Sequence, residues 1–182
     1  MTYFRGIMPS DTITENFEQR NLLFDMSRNY ENNDNFYIKF VKKSLLAINQ
    51  SIINTPPNEE QFNLKEIMRY KYLIAIDSYS ACCEISLFLK IGAIILRVKS
   101  TNNYKLWYED ELIEYNRDVK NHATANYISI APDLSDLESW AEWLNKHNKK
   151  SKEIANNALL LGKKLFTFDY CSNYTLQLFK NI

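Results

Sequence analysis

Apolar residues in this chain gather into two kinds of run that alternate. Residues 72–76 (Tyr-Leu-Ile-Ala-Ile) and 93–98 are almost continuously apolar, as expected of parallel strands covered on both faces. Between them, Asp77-Ser78-Tyr79-Ser80 is a polar turn that opens a helix running to about Lys90, and Gly92 ends it. Strand, turn, helix and strand make a βαβ unit, whose crossover is expected to be right-handed.

Weaker signals extend this pattern in both directions. Thr2-Tyr3-Phe4 reads as a short strand that turns at Arg5-Gly6, and Phe17, Leu22, Leu23 and Met26 recur at helical spacing over residues 14–27. Phe36, Ile38 and Phe40 alternate with polar neighbours like a strand, whereas Pro56-Pro57 blocks both regular structures and marks a loop. Asn63 with Glu66 resembles a capped helix start reaching Tyr70. Residues 104–115, aromatic and acidic, predict a short helix, and residues 127–130 another strand. Ser135-Asp136-Leu137-Glu138 fits a capping box ahead of the stripe Leu137, Trp140, Ala141 and Leu144. Two further helices are predicted over 151–165 and 169–180. The succession predicts a doubly wound α/β domain with a Rossmann-like parallel sheet. One domain over residues 1–182 is expected, with a helix in 166–182 lying outside the core sheet.

Charge and composition narrow the chemistry. Twenty-two basic residues balance 22 acidic ones, which argues against a nucleic-acid coat or a polybasic membrane binder. No apolar run approaches the ~18 residues of a membrane span, and no leader pattern follows Met1, so a cytoplasmic location is the default expectation. Three glycines leave no GxGxxG and no GxxxxGK[ST]. Cys82, Cys83 and Cys171 are an odd set without metal spacing, read as reduced and buried, the first two inside the crossover helix. The two Asn-x-Ser/Thr sequences, at Asn49 and Asn173, are about what chance predicts in so Asn-rich a chain and carry no localisation signal.

In a doubly wound sheet, ligands gather at the carboxyl ends of the strands, which directs attention to three places. At Asp77, Ser78, Tyr79 and Ser80, free backbone N–H groups and hydroxyls either hold a phosphate or simply cap the helix. At Arg5 and Gly6, a cation and open backbone either face an anion or pair internally with a carboxylate such as Asp77. At Arg97, Lys99 and Ser100, Arg97 and Lys99 share a face and either contact phosphate or form a solvated strand end. His122 and His147 have no ligand partners at useful spacing, no metal is expected, and Glu109-Asp110-Glu111 reads as a solvated acidic face.

Taken in order, these residues resemble glycosyltransferase family 90, the group of capsule-associated, lipopolysaccharide-modifying and protein O-glucosyltransferase-like enzymes. Phe4-Arg5-Gly6 resembles the family's F-R-G, with Arg20 placed like the basic residue of the next helix. Residues 69–77, Arg-Tyr-Lys-Tyr-Leu-Ile-Ala-Ile-Asp, are similar to its Y-K-Y-hydrophobic-D-I-D-G stretch. Gly92 to Arg97, then Ser100, Tyr104, Trp107-Tyr108 and Leu112, resemble its strand and following aromatic segment. Tyr127 to Ile130, Asp133-Leu134-Ser135-Asp136-Leu137, Trp143 and Asp169-Tyr170-Cys171 are similar to its closing motifs.

The resemblance implies the carboxyl-terminal, donor-binding half of a GT-B glycosyltransferase. It implies a UDP-sugar donor, hexosyl or xylosyl transfer to a protein or glycan hydroxyl, no metal cofactor, and an acceptor domain supplied by another chain. It points to no catalytic residue here. Three positions depart from the family pattern: Ser78-Tyr79 stand for G-N, Glu84 stands at or beside a diphosphate-neutralising Arg, and Asn126 stands where His is common. An anion in place of a cation beside a diphosphate costs several kcal/mol unless Arg5, Arg97 or Lys99 compensates. The alternative reading is therefore an inactive remnant that serves as a binding or scaffolding module.

Overall fold

A computed structural model describes residues 2–7, 18–29, 36–41, 64–77, 80–118 and 123–180. Five strands lie in one all-parallel sheet in the order β2-β1-β3-β4-β5: β1 (Thr2–Ile7), β2 (Phe36–Val41), β3 (Tyr72–Ala75), β4 (Ile94–Val98) and β5 (Ile128–Ile130). Helices α1 (Glu18–Asn29), α2 (Leu64–Ile67), α3 (Ile85–Ile91), α4 (Leu137–Lys146), α5 (Asn148–Leu165) and α6 (Phe168–Lys180) surround it. The α/β class and the parallel sheet thus agree with the sequence reading.

The unbroken apolar runs have the expected cause. Every residue of β3, β4 and β5 is buried, because each face of the sheet carries its own core. On one face Ile74, Ile76, Leu96, Val98, Ile128 and Ile130 meet Leu23 of α1 and the α4 stripe Leu137, Trp140, Ala141 and Leu144. On the other, Leu73, Ala75 and Ile95 meet Ile85, Phe88 and Leu89 of α3 and Ala158, Leu161 and Leu165 of α5. Gly92 closes α3 at φ +68°, a left-handed conformation that a side chain would strain. At Gly162 a Cβ would come 2.7 Å from the Leu89 carbonyl carbon, so α3 and α5 touch backbone to backbone.

Several boundaries differ from expectation. Arg5-Gly6 is not a turn: β1 continues through both to Ile7, because its ladder with β2 runs unbroken from Thr2↔Phe36 to Ile7↔Val41. Helix α3 begins at Ile85 rather than beside Ser80, so Cys82 and Cys83 precede it; Cys82 is buried, while Cys83 and Cys171 are exposed. In the 104–115 segment the expected helix is reduced to a single 3-10 turn at Glu109–Glu111, and Glu114 forms a parallel bridge with Tyr127.

The capping box does not form. Asp136 is the N-cap of α4; its Oδ1 accepts from Ala131 N–H at 2.8 Å and its Oδ2 from Trp140 Nε1 at 3.2 Å, while the Ser135 hydroxyl turns back to Asp133 at 2.7 Å. The carboxylate one residue later out-competes Ser135 by tying β5 to α4. The expected helix over 14–27 lies at Glu18–Asn29, with residues 14–17 outside the described set, as are Asn63, His122, Asn49 and the Pro56-Pro57 loop. Helix α6 has no buried residue and meets the body through Tyr170 and Tyr174 against Trp107, at ring-centre distances of 6.3 and 4.8 Å.

Candidate functional site at the carboxyl edge of the sheet

The strand order creates one topological switch point. β1 lies beside β3, yet the helix after β1 packs on one face and the helix after β3 on the other. Their ladder contains only Thr2↔Tyr72 and Tyr3↔Leu73, so the carboxyl halves of the two strands are not paired with each other. Helices α1 and α3 thus cover opposite faces on either side of this point, the arrangement beside which such sheets usually take their ligands. The ladders also place Arg5 beside Lys39 and Arg97 beside Ala75 and Ser129, near the carboxyl edge of their strands.

The first turn of α1 ties this edge together. Gln19 Nε2 donates to the Lys99 carbonyl at 2.7 Å and to the Pro132 carbonyl at 3.3 Å. Arg20 Nε donates to the Asp77 carbonyl at 2.8 Å and Nη2 to the Ile76 carbonyl at 3.1 Å. Main-chain acceptors beyond β3, β4 and β5 thus receive donors from two adjacent side chains of one helix. Arg20 is buried, which lowers its pKa, while Cys82, Glu84, Asp77 and Cys83 favour its charged form. Gln19 was invisible in the sequence, since a polar residue in a first helical turn ordinarily faces water.

Asp77 sits one residue past Ile76, buried, with Oδ1 accepting the Cys82 N–H at 2.8 Å. Its second oxygen, Oδ2, has no hydrogen-bond partner. Ser78 and Tyr79 lie outside the described residues; Ser80 is exposed and its hydroxyl reaches only the Ala81 carbonyl at 3.4 Å. Glu84 occupies the N-cap position of α3 without capping it, and its Oε2 faces the thiols of Cys82 and Cys83 at 3.3 and 3.6 Å. Burial first, and Glu84 second, push the Cys82 thiol well above its usual range, so it is a packed, inert group.

At the end of β4, Arg97 is not an open cation. Nη1 and Nη2 grip Glu109 Oε1 and Oε2, the second contact at 3.1 Å, and Glu109 also accepts Leu106 N–H at 3.1 Å. Burial opposes both charges, but the paired hydrogen bonds prevail, raising the pKa of Arg97 and lowering that of Glu109. Of the acidic run, then, only Asp110 is a solvated side chain without such a partner: Glu111 joins Lys164 and Tyr170 at 2.9 and 2.8 Å. Lys99 is exposed, and Ser100 Oγ accepts the N–H groups of Asn102 and Tyr104 at 3.3 and 3.2 Å, a turn-closing role. Asn126 is a structural bridge, its Oδ1 accepting Ile113 N–H at 3.0 Å and its Nδ2 donating to the Glu111 carbonyl at 3.1 Å. His147 stacks on Trp143 at 4.2 Å.

Tyr108 completes the group. It is buried against Phe166 and Trp107, which raises its pKa, and its hydroxyl has no hydrogen-bond partner. The sequence offered no way to separate Tyr108 from the aromatic residues around it. Among the described residues no cluster of three or more His, Cys, Asp or Glu could hold a metal ion, and no helix is long and apolar enough to cross a membrane.

A cavity of about 280 Å³ opens at the opposite end of the strands, lined by Tyr70, Lys71, Gly92, Ile94, Ser151 and Lys152. It lies at the amino ends of β3 and β4, away from the switch point, and contains no carboxylate.

Comparison with known sequences adds a family. The sequence model of Glycosyl transferase family 90 matches residues 1–182. Uncharacterized protein 179R of Invertebrate iridescent virus 6 is 26% identical over 192 aligned residues, covering 93% of this chain and 15% of that protein. Uncharacterized protein 035R of Invertebrate iridescent virus 3 is 29% identical over 90 residues, covering 50% of this chain and 7% of that protein. The chain therefore corresponds to a small part of the length of these viral relatives.

Proposed function

This chain belongs to glycosyl transferase family 90, and on that footing we propose that it is the nucleotide-sugar-binding domain of a glycosyltransferase, of the Rossmann-like kind found in the donor half of a GT-B enzyme. The donor is a UDP-sugar, seated at the carboxyl edge between β1 and β3, and the product is a hexosylated or xylosylated protein or glycan hydroxyl. The observation that carries this reading is the switch point itself: it sets Arg5-Gly6, Asp77 and the β4 end on the edge where doubly wound sheets take nucleotides. No metal is needed, because backbone N–H groups and cations can carry the diphosphate charge. The acceptor domain and its catalytic base come from further polypeptide, as the small share of the viral relatives covered by this chain suggests.

A second reading is supported by charge at the site. Glu84 stands at or beside the position of the Arg that the family resemblance implies, and Arg97 is already committed to Glu109, so two of the positions expected to neutralise a diphosphate do not offer free positive charge. On this reading the domain is an inactive remnant used for binding or scaffolding. Titration calorimetry of the chain with UDP and UDP-glucose separates the two. Binding at micromolar to sub-millimolar ligand supports the transferase domain. Binding that appears only in Glu84→Arg supports the remnant, and no binding by either protein at millimolar ligand contradicts donor binding outright.

A further inference from the structure

The cavity at the amino ends of β3 and β4 has no part in donor binding as proposed above. It exists because small residues meet there: Gly92 and Ala93 lead into β4, and Ala155 stands on α5. Ala93 and Ile94 are buried while Met68 is exposed, so the hollow runs from an apolar floor to an apolar rim. At about 280 Å³ it lies at the lower end of small-molecule pockets, which span roughly 300–1,000 Å³, and so suits a ligand smaller than a nucleotide sugar.

Its charge is one-sided. Lys71, just before β3, and Lys152, on α5, both line it, and no carboxylate among the described residues does. Both lysines are exposed, and neither has an ion pair or side-chain hydrogen bond among the described residues, whereas Lys146 and Lys150 are paired with Glu142 and Glu153. The first turn of α5 carries no acidic residue, so the positive end of the helix dipole adds to the lysines instead of offsetting them. Two like charges beside one hollow repel, and an anion drawn to both removes that cost. The hydroxyls of Ser151 and Tyr72 are already spent, on the Leu144 carbonyl and on Asn145 Oδ1, each at 2.9 Å. What remains for a ligand is positive charge above apolar surface. A bare phosphate would leave the apolar floor wet, and a neutral apolar molecule would leave the lysines unpaired.

We propose that this cavity is a second ligand site, separate from the donor edge, which takes a small amphiphilic anion. Its anionic head, a carboxylate or phosphate, is held by Lys71 and Lys152, and its short apolar body lies against Ala93, Ile94 and Ala155. The inference stands whether or not the carboxyl edge of the sheet binds a nucleotide sugar.

The experiment is calorimetry on the intact chain with octanoate, octyl phosphate, butyrate, octanol and inorganic phosphate, for the wild type, Lys152→Ala and the double variant Lys71→Ala with Lys152→Ala. Octanoate or octyl phosphate is expected to bind in the sub-millimolar to low-millimolar range, the tighter of the two identifying the head. Butyrate is expected to bind more weakly, since each methylene taken out of water is worth up to about fourfold in affinity. Octanol and inorganic phosphate, each with half of the required chemistry, are expected to show no saturable binding at the same concentrations. Exposed lysines contribute modestly one at a time, so Lys152→Ala is expected to weaken the amphiphile about two- to fivefold and the double variant about tenfold, with melting temperatures unchanged. Equal affinity in the wild type and the double variant would place the amphiphile elsewhere and overturn the proposal. Octanol binding as tightly as octanoate would make the hollow merely apolar and also overturn it, as would no binding of either amphiphile at millimolar concentration. Release of bound octanoate by UDP would merge the cavity with the donor site and overturn its separateness.

Discussion

The two ends of the parallel sheet pose the same physical problem and answer it differently. The amino ends of β3 and β4 border the described cavity, about 280 Å³, yet their polar groups are met, as where the Tyr72 hydroxyl donates to Asn145 Oδ1 at 2.9 Å. The carboxyl ends hold the Arg97–Glu109 pair, the Gln19 and Arg20 donors on strand-end carbonyls, and Asp77 with its unmet oxygen. Empty volume and unspent hydrogen-bonding capacity thus point to opposite edges. Topology sides with the second, because strand amino ends in a doubly wound sheet have no switch point at which chains part.

The sharpest way to set the ends apart is Gly162→Ala, which acts where α5 meets the end of α3. A Cβ 2.7 Å from the Leu89 carbonyl carbon forces the helices apart, and the expected loss is about 1–3 kcal/mol in urea melts with ligand affinity unchanged. Affinity falling in step with stability would tie the amino end to the site. Next comes Arg97→Ala at the carboxyl end. With side chains 11% and 27% exposed, the Arg97–Glu109 pair is more than a surface contact, and its removal is expected to cost about 1–2 kcal/mol at neutral pH. The folded value of Glu109 lies below its ordinary 4.5, so the contribution is complete above that pH and fades as pH falls through the depressed value. Urea melts at pH 7 and pH 3 should therefore show the wild-type advantage shrinking toward zero at the lower pH. A constant difference would mean that Arg97 acts through packing alone. Least is expected of Lys152→Ala in the amino-end cavity: under about 0.5 kcal/mol, and the same UDP affinity.

The sheet interior was legible because burial on both faces leaves a direct mark. Tyr72 to Ile76 is apolar throughout and Ala93 to Val98 at every position but Arg97, and the helical stripe Leu137, Trp140, Ala141 and Leu144 is buried as its spacing predicts. The edge was legible only as a set of positions. Arg5-Gly6 looked like a turn because glycine commonly ends strands, but pairing with β2, whose residues lie 34 positions further along the chain, carries the strand through it. Arg97 looked available because its partner Glu109 sits in a three-acid run that reads as solvated, and only folding the 104–115 segment back over β4 brings the two together. The capping box failed for a related reason: Asp136 finds the Ala131 N–H and the Trp140 indole, partners that sequence spacing does not rank above a local cap. Short-range spacing therefore located the elements, whereas the charge pairing at the site depends on contacts made across the fold.

Amide chemical-shift mapping of the intact chain during a UDP titration tests the central claim most directly, since each end of the sheet carries its own resonances. The account predicts saturable shifts at Asp77, Cys82, Lys99 and Ser100, with Gly92, Ser151 and Lys152 left in place. Shifts confined to Gly92, Ser151 and Lys152, or none at any residue in millimolar UDP, would contradict it.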